Sequence, residues 1–395
     1  MPYVEGRGIV HDADSHIMEG PTWLLDHADV ATAERLKAQG RRFQPALSPE
    51  EDRSGWQEAQ RLHTDPGFRA DAAEKIMGRK NWAALGSFIA EDRPAALDAL
   101  GVASQLVFNT FNMGHLQRAE HADPELALGM ARAHNRGMQE FCSVDPRLLG
   151  VGYVPLCDIA AAPVIAAEAI ESGCKSLLVA SACPPGHSPS HVGLDPFWRL
   201  AEEAGVPVCY HVGGGGVPMD PSYFENGLPP VPDFHGGDGN FRSLDYLSIQ
   251  YPVMQALSAL VIDGVLLRHP DLRIGVIEMG ASWLPGLMHS LDSAHEAFRR
   301  NEARLQAMDL RPSEYVRRQV RVTPYPHEDA GWIVSQAGPE VCLFSSDWPH
   351  VEGGRNPLGR FDRSLEGLSE EIRQRFYRDN FVDLVGPSAL ADLAA

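Results

Sequence analysis

Asp12-Ala13-Asp14-Ser15-His16 stands just after the apolar pair Ile9-Val10 and has a distant counterpart in Phe344-Ser345-Ser346-Asp347-Trp348-Pro349-His350. Each reads as a short strand ending in side chains that can bind a metal. In a parallel barrel the carboxyl ends of the strands open onto one face, so an Asp and a His from a first strand can meet an Asp from a last one. Asp14 and His16 are two apart, so in extended chain they project to the same side, and one segment can supply two ligands.

Between these motifs, short β-branched runs alternate with amphipathic helical stretches, the pattern of repeated βα units on a parallel sheet. Eight strands are expected, over residues 9–14, 104–110, 148–154, 176–180, 206–211, 273–278, 320–323 and 341–346. The fold class that follows is α/β, a (β/α)8 TIM barrel rather than an open doubly wound sheet. The whole chain, residues 1–395, reads as one barrel domain. Two connections exceed the usual βα loop, which runs to about six residues. Residues 19–100, charged and helical around 31–38, read as a helical insertion or lid after strand one. Residues 212–251 begin with Gly213-Gly214-Gly215-Gly216 and contain His235-Gly236-Gly237-Asp238-Gly239, so they read as a long mobile loop over strand five. That loop is expected to shape the pocket and to meet a second subunit in a homodimer or higher homo-oligomer.

Composition narrows the partners. With 53 acidic against 34 basic residues, the net charge of -19 argues against nucleic acid and anionic membranes, which reward a basic patch. A small-molecule substrate is the reading left. The amino terminus carries no basic segment leading into an apolar core, and no run reaches the roughly 18 apolar residues of a membrane span, so a cytoplasmic location is expected. Six scattered cysteines without a CxxC pair indicate reduced thiols rather than a zinc knuckle or a disulfide framework.

On this strand reading Asp14 and His16 close strand one, His211 closes strand five, Glu278 closes strand six and Asp347 lies just past strand eight. Singly each has a plain structural explanation: an Asp in a turn, a satisfied histidine, a helix cap. Their joint placement on one face points to a metal site. Neutral imidazoles and carboxylates suit zinc, manganese or iron and leave positions for water or substrate.

Three motifs carry a family resemblance: Asp12-Ala13-Asp14-Ser15-His16-Ile17-Met18-Glu19; Gly264-Val265-Leu266-Leu267-Arg268-His269-Pro270-Asp271-Leu272-Arg273 leading into Glu278-Met279-Gly280-Ala281-Ser282-Trp283-Leu284-Pro285; and Ser346-Asp347-Trp348-Pro349-His350-Val351-Glu352-Gly353. In this order they resemble the metal-dependent amidohydrolase superfamily, in the amidohydrolase-2 branch of aminocarboxymuconate semialdehyde decarboxylase and its relatives. The resemblance implies one divalent metal ion, zinc first and manganese second, held by Asp14, His16, His211 and Asp347. The chain departs from the broader superfamily at three places. Asp14 stands where relatives with a carboxylate usually have Glu. Lys175 begins strand four, far from the carboxyl end, so it cannot serve as the bridging carboxylated lysine of two-metal members. Glu278 replaces the sixth-strand histidine, and a single metal follows.

Beyond the ligands, Asp347 and Glu278 are the candidate catalytic acids or bases, with a cap on the helix near Ala281 as the other reading of Glu278. His235, Arg242, His327 and Trp348 are candidate substrate contacts, and Trp283 and Phe111 could join Trp348 in an apolar wall. His350 is expected to orient the Asp347 loop, and Arg321 to form a structural ion pair. Two reactions fit this set: metal-dependent non-oxidative decarboxylation of an aromatic or unsaturated carboxylic acid, and hydrolysis of an ester, lactone or amide by metal-bound water.

Overall fold

Seven strands form one parallel sheet in chain order: β1 His11–Ile17, β2 Ser104–Asn109, β3 Leu148–Tyr153, β4 Ser176–Leu178, β5 Val208–His211, β6 Ile274–Ile277 and β7 Val320–Val322. The computed structural model describes residues 2–39, 51–214, 219–232 and 242–393. Every residue of the seven strands is buried. That is why they read as near-continuous apolar runs: helices cover the outer face of a parallel sheet, and the inner face is packed as well. The sheet curls as a (β/α)8 barrel would.

Residues 341–348 span the gap between the sheet's two edges. Val322 N–H donates to Val341 O at 2.8 Å and Leu343 N–H to Val322 O at 2.9 Å. On the other side Ala13 N–H donates to Phe344 O at 3.0 Å, and His16 N–H to Trp348 O at 2.8 Å. The eighth expected strand, 341–346, is therefore not a regular ladder strand among the described residues; it makes an isolated bridge at Cys342, and a second follows just beyond it at Trp348. The cause is local. Phe344 N–H turns outward to Phe376 O (2.9 Å), and Ser346 N–H donates to the Asp12 carboxylate (2.8 Å) instead of to a backbone carbonyl.

β1 runs three residues beyond its expected end and carries a register shift between Asp12 and Ser15, where one extra residue faces β2. Such a bulge re-aims side chains locally. His16 consequently lies within the strand, together with Asp14, rather than after it. The 19–100 insertion holds the helices Trp23–His27, Val30–Gln39, Glu51–Leu62, Pro66–Glu74 and Arg93–Leu100. It docks on the carboxyl end of the sheet through Met18 N–H to Ser87 O (2.8 Å) and Asn81 N–H to Pro349 O (2.9 Å). Of the expected loop after β5, the described part contains the helix Ser243–Ser248 and the start of Gln250–Ile262, so it is partly helical. His235 and the glycines around it lie outside the described residues.

The longest helix among the described residues, Pro124–Cys142, shows how the outer layer is fixed. Asp123 accepts from Leu126 N–H at 3.2 Å and stops the helix backing into the preceding turn. Leu126, Met130, Met138 and Phe141 recur at helical spacing and are buried. Gly150 in β3 permits the close approach, since a Cβ there would stand 3.2 Å from Met138 Cγ and 3.3 Å from Cys142 Sγ.

Candidate metal centre

His16 is the hub of the carboxyl-end cluster. Its Nε2 lies 3.2 Å from Asp14 Oδ1, 3.5 Å from Asp347 Oδ1 and 3.8 Å from Glu278 Oε2. His211 Nε2 is 3.3 Å from Glu278 Oε2 and 3.4 Å from Asp14 Oδ1. Donor atoms of Asp14, His16, His211 and Glu278 all fall within 4.8 Å of one another, as do those of His16, Glu278, Asp347 and His350. Glu278 thus stands among the donors themselves. The helix-cap reading of it fails: Glu328 takes that role, accepting from Ala281 N–H (3.0 Å) and Ser282 N–H (2.9 Å). Glu278 (φ 54°) and Asp347 (φ 49°) both hold left-handed backbone, costly for a residue with a side chain and concentrated at functional sites. Glu278 is kept there by its N–H donating to Thr323 Oγ1 (2.8 Å) and its carbonyl accepting from Tyr325 OH (2.8 Å).

The two imidazoles are set by their outer nitrogens. His16 Nδ1 meets Asn109 O at 3.0 Å and His211 Nδ1 meets Val212 O at 3.0 Å, so the ring proton sits there and each Nε2 turns a lone pair inward. Burial, aided by the neighbouring His350, pushes the His16 pKa down to about 4 and keeps the ring neutral. His16 Nε2 and Asp14 Oδ2 are buried without a hydrogen-bond partner among the described residues. Lone pairs therefore face carboxylates, which is unfavourable unless a cation lies between them. Burial, reinforced by Asp347 and Asp14, also raises the Glu278 pKa well above the carboxylate range. A divalent ion fits this donor set of imidazole nitrogen and carboxylate oxygen.

Beneath the donors runs a buried polar network that sequence reading did not assign. Asp12 accepts from Ser346 N–H (2.8 Å), Ser346 Oγ–H (2.6 Å) and Gln105 Nε2–H (2.8 Å). Burial raises its pKa to about 7, against the pull of those bonds. Arg93, fully buried, donates to His16 O (2.9 Å), Ser15 Oγ (2.9 Å) and Gln105 Oε1 (3.2 Å), and its guanidinium lies 4.4 Å from the Trp348 ring centre. These contacts tie β1, β2 and the 341–348 segment together directly under the cluster. Asp12 was findable in the sequence, because it shares a period-two face with Asp14 and His16. Arg93 carried no signal.

His350 does orient Asp347. Its Nδ1 is 2.9 Å from Asp347 Oδ1, its Nε2 is 2.9 Å from Thr110 Oγ1, and its ring stacks on His16 with centres 3.9 Å apart. Although burial opposes its charge, Asp347 beside it raises the His350 pKa above the ordinary value. The cluster opens into a pocket lined by Asp14, Glu278, Thr323, Tyr325, Asp347 and Glu352, among others.

The expected substrate contacts fare differently. Trp348 is fully buried, its indole N–H donating to Ile76 O (3.1 Å) and its face covered by Arg93, so it is core and not pocket wall. Arg242 is taken up by Asp245 (2.9 Å) and by the Phe224 ring (3.4 Å). His327 hydrogen-bonds Tyr246 OH (3.0 Å) and stacks on Tyr325 (5.6 Å), one residue layer from the pocket. Trp283 N–H is spent on Gly280 O (2.9 Å), and Phe111 packs on Trp82 (5.5 Å). Arg321 is buried and paired with Asp383, the structural role expected of it.

A family model described as amidohydrolase matches residues 12–386. The chain belongs to the amidohydrolase family. It is an enzyme of that superfamily, and no curated protein matches it. Among solved structures, an amidohydrolase of Mycobacterium avium subsp. paratuberculosis K-10 is 23% identical, with 96% of this chain and 100% of that one covered and a TM-score of 0.72. The 5-carboxyvanillate decarboxylase of Novosphingobium aromaticivorans DSM 12444, with bound manganese and 3-methoxy-4-hydroxy-5-nitrobenzoic acid, is 20% identical over 97% and 99% of the chains, TM-score 0.64. The 2,6-dihydroxybenzoate decarboxylase from Rhizobium is 18% identical over 95% and 98%, TM-score 0.59. At these identities the likeness to this amidohydrolase is one of fold. No helix among its described residues is long and apolar enough to cross a membrane.

Proposed function

We propose that this protein is a metal-dependent non-oxidative decarboxylase of an aromatic or unsaturated carboxylic acid, built as one (β/α)8 barrel domain over residues 1–395 with 341–346 as its eighth strand. The observation that carries the metal is the pair of inward lone pairs on His16 and His211 facing Asp14, Glu278 and Asp347. The choice of decarboxylation is supported by structural neighbours that decarboxylate hydroxylated aromatic acids, one of them with manganese bound.

Asp14, His16, His211 and Asp347 would hold a single divalent ion, with Glu278 beside them. Once bound, the ion supplies Lewis-acid stabilisation of negative charge on the substrate. A donor set rich in carboxylate oxygen suits manganese as well as zinc. The remaining work falls to the chain. Glu278 or Asp347 delivers a proton to the carbon that bears the carboxylate, the bond from that carbon to the carboxylate breaks, and its electron pair goes to the new C–H bond as carbon dioxide leaves. The product is the substrate with hydrogen in place of the carboxylate, and the acid is restored by a proton from water. His350 keeps Asp347 in place through the 2.9 Å contact.

A homodimer or larger homo-oligomer belongs to the same reading, supported by Tyr223, Leu228, Leu247 and Tyr251, whose apolar side chains are exposed in the single chain.

The test is to load the protein with manganese or zinc and follow carbon dioxide from a panel of hydroxybenzoates and muconate-like acids, beside a panel of esters, lactones and amides. Release of carbon dioxide by the unchanged protein, with loss of both metal and turnover in His211→Ala, is the expected result. Turnover of esters, lactones or amides without carbon dioxide from any acid would replace the decarboxylase reading with hydrolysis. Full metal content in His211→Ala would remove His211 from the ligand set.

A further inference from the structure

Besides Arg93, the insertion after β1 carries a second buried cation, Lys80, to the 347–350 segment. Lys80 precedes the turn Asn81–Ala83, and Asn81 N–H donates to Pro349 O at 2.9 Å, which fixes this turn against the 347–350 segment. Lys80 Nζ is buried and has no hydrogen-bond partner among the described residues. Its charge interacts with Asp347 and Glu352, both in the pocket wall, and with Arg355 nearby. Asn81 is the third described non-glycine residue in left-handed backbone, after Glu278 and Asp347, so the turn that carries Lys80 is held in an unfavourable conformation by its contacts.

A buried ammonium without a hydrogen bond is costly, and an isolated lysine is normally free to swing out to water. Here the ammonium stays inside, on a turn fixed against the 347–350 segment. The carboxyl groups lining this pocket are Asp14, Glu278, Asp347 and Glu352, and no lysine, arginine or histidine is among its described lining residues. An anionic substrate entering among them is repelled by every carboxylate that a metal ion does not offset. A compact point charge on a four-carbon stem answers that repulsion, and it matches a carboxylate or phenolate oxygen without demanding bidentate geometry.

We propose that Lys80 is the substrate-anion residue of this site: its ammonium donates hydrogen bonds to a carboxylate or phenolate oxygen of the bound acid. Burial pushes its pKa down to about 8, with Asp347 and Glu352 pulling upward. The inference rests on the reading of the site as one for an aromatic or unsaturated acid.

The experiment titrates metal-loaded protein with 4-hydroxybenzoate and 4-hydroxy-3-nitrobenzoate, and with the corresponding amides, by calorimetry. Lys80→Met and Lys80→Arg are compared with the unchanged protein, and metal content is measured in all three. The unchanged protein is expected to prefer acid over amide. Lys80→Met should lose at least about 10-fold in affinity for the acids, the range of a hydrogen bond to a charged group, while amide binding and metal content stay constant. Lys80→Arg should keep part of the preference. Retention of the acid preference in Lys80→Met, its absence from the unchanged protein, or loss of metal from Lys80→Met would each overturn the assignment, the last by making Lys80 a counter-charge to Asp347. Carbon dioxide release by the unchanged protein is scored separately. An acid preference that depends on Lys80 without any decarboxylation would retire the reaction and keep the anion site; decarboxylation with an unaffected Lys80→Met would do the reverse.

Discussion

A neutral imidazole has one ring proton, and at both His16 and His211 that proton is committed to a backbone carbonyl at 3.0 Å. The inward Nε2 contacts of these rings are therefore lone pairs against carboxylates, and the quality of the site depends on what holds His16 in register. Arg93 does so twice, through the His16 carbonyl and through Ser15 Oγ, and reaches β2 through Gln105. Replacing it with Met keeps much of the volume but leaves buried acceptors unpaired, at a cost of about 1–3 kcal/mol for each group. Arg93→Met is expected to unfold at lower denaturant concentration by roughly 3 kcal/mol. It should also bind metal about 10- to 100-fold more weakly, as changes to groups that orient ligands do. Chemical denaturation and competitive metal titration measure the two effects. Unchanged metal affinity in a folded Arg93→Met protein would show that the network supports the barrel alone. Sequence reading found the donors because Asp, His and Glu at strand ends are chemically conspicuous. It overlooked Arg93 and Lys80 because a single basic residue in a long charged insertion looks like solvated surface until the insertion is folded back onto the sheet.

At the scale of elements, the strands were legible wherever burial on both faces forces an apolar run. β2 and β3 stand within a residue of their expected spans, and the helix expected around 31–38 is Val30–Gln39. Legibility failed where side chains replace ladder bonds. The 341–348 segment gives Ser346 N–H to a carboxylate, and β1 continues through a bulge that no alternation pattern announces. The same limit hid the helix Ser243–Ser248 inside a glycine-rich stretch. That helix reaches the site through an aromatic layer: Tyr246 lies 5.2 Å from Tyr325, whose hydroxyl holds the Glu278 carbonyl, and it hydrogen-bonds His327 at 3.0 Å. One such bond contributes about 1 kcal/mol net, a factor of roughly 5 in an equilibrium. Tyr246→Phe is accordingly expected to raise KM for the acid roughly 5-fold while kcat and metal content hold. A fall in kcat with KM unchanged would mean that the layer acts on Glu278 itself and not on pocket closure.

For the molecule as a whole, buried titratable groups outside the site set how stability follows pH. His134, in the helix Pro124–Cys142, is fully buried, and burial lowers its pKa from 6.5 to about 4. Below pH 6.5 the unfolded chain binds a proton at this residue that the folded protein refuses until about pH 4. Stability therefore falls as pH drops from about 6.5 to about 4, by up to about 3 kcal/mol from this group. Glu120 works in the opposite sense. Burial raises it from 4.5 to about 7, so the folded form takes up a proton as pH falls, and the stability it contributes is present below 4.5 and lost as pH rises through 7. Because the two contributions overlap, the wild-type curve alone is uninformative, and a difference between proteins isolates one group. His134→Leu replaces the ring with an apolar side chain of similar bulk and removes the acid penalty, leaving Glu120 in place. Urea unfolding of both proteins at pH 7 and at pH 4.5 should show the variant gaining on the wild type by about 2–3 kcal/mol as the pH is lowered, whatever their order at pH 7. Parallel pH dependence in the two proteins would mean that His134 reaches water, or a partner, before the chain unfolds.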